Sequence, residues 1–115
     1  MLPRDMAYML DILVAAKDIR EFSAGMDQDG FMRNKIAQAA VIRCMEVIGE
    51  AAKRLSQEAR DELPGLPWSQ MARMRDFLIH AYDRVDLNKV WDTIINDMPV
   101  LIATLEPIIP HEDES

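Results

Sequence analysis

Asp86–Pro107, DLNKVWDTIINDMPVLIATLEP, is the stretch whose reading decides the fold. Leu87, Val90, Trp91, Ile94, Ile95, Met98, Leu101, Ile102 and Leu105 recur at steps of three and four, the period of one helix face. Asp86 stands where an N-cap belongs, because its short carboxylate can accept hydrogen bonds from the free N–H groups of a first turn. Pro99 removes one backbone hydrogen bond and predicts a kink there, while Pro107 and Pro110 close the helix.

Working upstream, the same period returns. Met71, Met74, Leu78 and Ala81 predict a helix that opens near Pro67 or Trp68, since proline suits a first turn. The breaker Pro64-Gly65-Leu66-Pro67 precedes it, and a short helical piece is expected over 57–62. Ile36, Ala40, Cys44, Val47, Ile48, Ala51 and Leu55 predict one long helix over 31–56. Met6, Met9, Leu10, Leu13 and Ala16 predict another over 4–23, followed by a turn at Gly25 and Gly30. No alternating strand pattern competes. The expected fold is all-α, an up-and-down four-helix bundle with room for one extra short helix, in a single domain over 1–110. The acidic end, 111–115, is expected to be disordered.

Composition agrees with a folded domain. Of 115 residues, 50% are hydrophobic, 29% are charged and only four are glycine. The net charge of −7 argues against a protein that coats nucleic acid or membrane without specificity. That charge is uneven. Residues 31–60 carry six cations (Arg33, Lys35, Arg43, Lys53, Arg54, Arg60) against Glu46, Glu50 and Glu58, so this segment is +3 and the rest −10. Solvated helix faces with i,i+4 pairs such as Glu50–Arg54 are one reading, and a track for a polyanion is the other. Charged residues interrupt every apolar run before membrane-spanning length, and no signal peptide is visible. The cytoplasm is the expected compartment. The lone Cys44, among Val41, Ile42, Met45 and Ile48, is expected to be a structural thiol.

Little in the chain suggests borrowed chemistry. Two histidines and one cysteine, without close spacing, give no zinc signature, and no glycine-rich phosphate loop occurs. No cofactor is expected. His111 lies in the acidic end, which leaves His80 as the histidine of the folded body and the side chain best suited to proton transfer near neutral pH. On a helix, Arg75 falls about 100° to one side of the Met71/Met74/Leu78 stripe and His80 about 120° to the other. Arg73 and Asp76 share the face of His80. Arg75 and His80 of one chain therefore diverge unless the helix bends or ends, and a symmetric dimer would bring two Arg/His sets around one cleft.

The run Arg75-Asp76-x-x-x-His80-x-Tyr82 resembles the Arg-x4-His-x-Tyr motif of the HEPN superfamily, in particular its HepT-like toxins. Similar text stands at Val47-Ile48-Gly49-Glu50-Ala51-Ala52-Lys53, at Pro67-Trp68, and from Asp86-Leu87 through Val90-Trp91-Asp92, so the resemblance spans about Arg4 to Ile109. It implies the helical bundle already expected and a metal-independent endoribonuclease acting as a homodimer. His80 and Arg75 would be catalytic, with Asp76 orienting or tuning the pair. It further implies a toxin–antitoxin system, in which a minimal nucleotidyltransferase antitoxin transfers AMP from ATP to Tyr82. The alternative is a non-catalytic helical module that binds nucleotide or docks a nucleotidyltransferase; the intact Arg/His pair speaks for the enzyme. Trp68 and Trp91 are expected to be core or interface anchors, and the nine methionines core filler or an adaptable interface. Lys53, Arg54 and Arg73 remain open between surface charge and contacts to RNA or a partner.

Overall fold

Asp86 caps a helix as its position predicts. Its Oδ1 accepts from the N–H groups of Asn88 at 3.0 Å and Lys89 at 3.4 Å, and helix Leu87–Leu105 follows, running on through Pro99. This is the last of six helices in a computed structural model that describes residues 1–80 and 85–109; for 75–77, 79 and 80 it describes the backbone alone. The helices are α1 (Pro3–Phe22), α2 (Gln28–Met32), α3 (Lys35–Arg54), α4 (Gln57–Glu62), α5 (Trp68–His80) and α6 (Leu87–Leu105). No strand occurs among the described residues, and none of their helices is long and apolar enough to cross a membrane.

Side-chain caps place most of the boundaries. Asp27 accepts from Gly30 N–H at 2.7 Å, Asn34 from Ala37 N–H at 2.9 Å, and the Ser56 hydroxyl from Ala59 N–H at 3.1 Å. Gly25 takes a φ of 76°, which glycine adopts without penalty, where the chain leaves α1.

One expectation is corrected. The helix predicted as continuous over 31–56 is two helices, because Asn34 leaves the helical conformation to cap α3. Gln38 seals the break: its Nε2 donates to the carbonyls of Phe31 at 2.9 Å and Met32 at 3.0 Å at the end of α2. The break frees Phe31 to turn fully into the core, its ring centroid 5.4 Å from that of Trp91 on α6. Burying such a ring stabilises by roughly 1.5–3 kcal/mol. Gln28 adds a polar tie, donating to Asn88 Oδ1 at 3.0 Å, so α2 fastens the first turn of α6.

The four long helices form the bundle. α1 packs along α3 and α6, and α3 also carries α5. Met9, Ile12, Ala16 and Ile19 of α1 meet Val41, Met45 and Ala52 of α3 in the fully buried centre. Lys17 pairs with Glu106 and joins α1 to the end of α6. The side between α5 and α6 opens as a groove of about 640 Å³ floored by Met45 and Ile48.

Asp5 locks the corner between α3 and α4. It is buried, and its carboxylate accepts from Ser56 N–H at 3.0 Å and from the Ser56 hydroxyl at 2.7 Å. These bonds from Ser56 hold its carboxyl below the ordinary carboxylate range, with Arg4 and the N-terminus adding smaller pulls against the cost of burial. A depressed folded-state pKa gives stability that is fully present above the unfolded value and lost as pH falls through the folded one. The wild type is therefore expected to weaken below pH ~3.9, the unfolded carboxylate value. Asp5→Asn should be weaker at neutral pH and flatter on this acid limb, read as urea midpoint against pH. Parallel curves would refute the assignment.

Candidate active site

The start of α5 is pinned by Trp68. The indole is buried and its Nε1 donates to the Leu63 carbonyl at 3.0 Å, across the Pro64–Pro67 turn. Met71 N–H then bonds to the Pro67 carbonyl at 3.0 Å, which begins the helical ladder. Further along, Leu78 is fully buried, and half-buried Met71 and Met74 line the groove, so the apolar stripe expected of this helix faces α3 and the groove. Ala81, the last residue of that expected stripe, lies outside the described residues.

Arg75, Asp76 and His80 all stand on this one helix, with His80 its final residue. Their side chains are not among those described, and Tyr82 lies outside the described residues, as does the end at 111–115. Five helical steps put positions 75 and 80 about 140° apart around the axis. The helix from Trp68 to His80 is continuous across both positions.

Other residues singled out in the sequence are distributed over different surfaces. Arg73 is exposed and lines the α5–α6 groove. Arg54 instead lines a cleft of about 350 Å³ with Tyr8, Asp11 and Arg43, on roughly the opposite face of α3 from Met45 and Ile48. There it is hydrogen-bonded to Tyr8 and to Glu50, whose Oε1 lies 2.7 Å from its Nη2, and both bonds push its pKa up. Arg43 reaches Glu46 at 3.4 Å. Arg60 turns its Nη2 to the carbonyls of Ala52 at 2.8 Å and Lys53 at 3.4 Å, serving the free C-terminal end of α3. Lys53 sits exposed on that last turn. The positive segment 31–60 is thus largely engaged in holding the fold, which favours the solvated-face reading.

Cys44 is half-buried. Burial first, then the charge of Asp18, pushes its thiol up, which makes it a poor nucleophile at neutral pH. Trp91 packs on Phe31 as an anchor. The groove also holds residues that sequence reasoning missed: Gln70 on α5 and Lys89 and Asp97 on α6. Lys89 had one local signal, its place just behind the Asp86 cap, but its shared groove with Arg73 comes only from packing.

Comparison with known proteins gives a consistent picture. The family model described as Ribonuclease HepT-like matches residues 12–108. A protein of Methanocaldococcus jannaschii named "Putative RNase MJ0127" is 44% identical over 95% of this chain and 93% of its own length. A second from that organism, named "Putative RNase MJ0125", is 42% identical over 94% of this chain and 93% of its own. A protein of Thermococcus cleftensis named "Probable ribonuclease HepT" is 42% identical over 88% and 92%. No solved structure matches.

Proposed function

The chain belongs to the HepT-like ribonuclease family, and from that premise we propose that it is a metal-independent endoribonuclease, the toxin of a toxin–antitoxin pair. The observation that carries this reading is the single helix Trp68–His80, which bears Arg75, Asp76 and His80 inside the segment matched by the family model.

In this reading a ribose 2′-hydroxyl attacks the adjacent phosphorus while the bond to the 5′-oxygen breaks. The products are a 2′,3′-cyclic phosphate and a free 5′-hydroxyl. The His80 imidazole takes the 2′ proton, and the leaving oxygen takes up a proton from water. Arg75 neutralises the charge that grows on the non-bridging oxygens, a task suited to its two-pronged guanidinium. Asp76 orients or tunes the pair. The 140° divergence of positions 75 and 80 supports a homodimer, since a two-fold axis beside α5 can bring Arg75 of one chain to His80 of the other.

Control of the enzyme falls to a nucleotidyltransferase antitoxin, with Tyr82 as the AMP acceptor. Arg54, on the other side of α3 from the groove, is better suited to meet that partner than the substrate, with exposed Lys53 beside it in the chain, while Arg73 in the groove is suited to meet RNA.

The test is cleavage of RNA by the purified protein in EDTA, with the all-deoxy strand of the same sequence as control. RNA is expected to be cut at an undiminished rate and DNA left intact. Loss of activity in EDTA that returns with a divalent ion would overturn metal independence, and no RNA cleavage under any condition would overturn the enzyme.

A further inference from the structure

We infer that the groove between α5 and α6 holds a single-stranded segment of RNA, its phosphates gripped by Arg73 on one wall and Lys89 on the other. This rests on the ribonuclease reading and extends it, by saying where the substrate lies and which form of RNA is taken.

Arg73 and Lys89 come from separate helices yet line the same groove, and both are exposed. Among the described residues neither side chain has an ion pair or hydrogen bond. Several other cations are engaged: Lys17 with Glu106, Arg43 with Glu46, Arg54 with Glu50, and Arg60 with backbone carbonyls. On a chain of net charge −7, two unengaged cations facing across one groove form a local attraction for a polyanion.

Two anions, Asp86 and Asp97, also line the groove. Asp86 directs Oδ1 at the N–H groups of its own helix. Asp97 lies eight residues beyond Lys89, about 12 Å further along α6. Position 73 also stands about two turns before position 80 on the same face of α5, so a strand held there runs toward His80.

The surface between the two cations selects the form of RNA. Half-buried Met71 and Met74 give the groove an apolar surface. An unstacked base can lie against such a surface and shed water from both, the gain that single-strand binders draw from base contacts. A duplex keeps its bases inward and offers only its backbone and shallow groove edge.

The test measures binding of the wild type, Arg73→Gln, Lys89→Gln and Lys89→Arg to a 2′-O-methyl RNA 12-mer, which cannot be cleaved, over a series of salt concentrations. Each glutamine variant should bind more weakly and lower the slope of log affinity against log salt by about 0.7, the value for one phosphate contact on a single strand. Lys89→Arg should restore the wild-type slope. The same strand annealed to its complement should bind less tightly. Unchanged slopes in both glutamine variants, or equal affinity for the duplex, overturn the proposal. So does a glutamine variant that shifts the sedimentation of the free protein and not the slope, because a second copy of the chain then covers the groove. RNA cleavage in EDTA alongside unchanged slopes sinks the groove and leaves the ribonuclease standing.

Discussion

RNA cleavage is expected to disappear when His80 is replaced by alanine, and again when Arg75 is, with the helical signal of the protein intact. Proton transfer by a placed imidazole is typically worth roughly 10²–10⁴-fold in rate, and loss of a charged donor on the phosphate costs on a similar scale. Neither position belongs to the apolar line through Met71, Met74 and Leu78 that seats α5, so folding should survive both changes. Undiminished cleavage by either variant sinks the assignment. The two inactive proteins also test the shared cleft. If Arg75 of one chain serves with His80 of the other, mixing the variants builds dimers with one intact pair, and part of the activity returns. A mixture as inactive as its components would place both residues of each pair in one chain.

Tyr82→Phe is expected to separate cleavage from its control. The variant keeps the ring and loses the phenolic oxygen, so no phosphodiester to AMP can form there, while Arg75 and His80 remain. In the wild type, each AMP added beside the motif brings a phosphate charge and the bulk of a nucleotide, which repels RNA and fills the space it needs. With nucleotidyltransferase and ATP present, wild-type activity should fall as intact mass rises by one or more AMP units. The phenylalanine protein should gain no mass at the motif and stay active. AMP found on this segment of the variant would refute the acceptor, and full activity of the modified wild type would refute the mechanism of control.

What was legible in advance was local. Asp86 announced α6 because a cap and a 3.6-residue period lie within a few positions of each other. Glu50–Arg54 was visible as an i,i+4 pair for the same reason. The Asn34 break was missed because apolar spacing continues across it, and one carboxamide redirecting the backbone does not disturb that period. Asp5 gave no sign of its role either. Its partner Ser56 lies 51 positions away, and an acid on a first helical turn ordinarily faces water.

The same division runs through the site. Arg75, Asp76, His80 and Tyr82 could be named as candidates because the run resembles a family motif, and spacing along one segment is what a motif records. The helix period even required that positions 75 and 80 diverge. Lys89 could not be found that way. Its relation to Arg73 exists only because α3 seats α5 while α1 and Phe31 seat α6, leaving the two helices apart with a cation on each wall. Nor could the charge of segment 31–60 be weighed until Arg54 and Arg60 were seen engaged with Glu50 and the end of α3. The sequence by itself determined most of the helices, their stripes and the candidates for the reactive residues, since these follow from neighbours a few positions apart. Only the tertiary structure decided which charges are engaged and where a groove opens, since those depend on contacts between residues far apart in the chain.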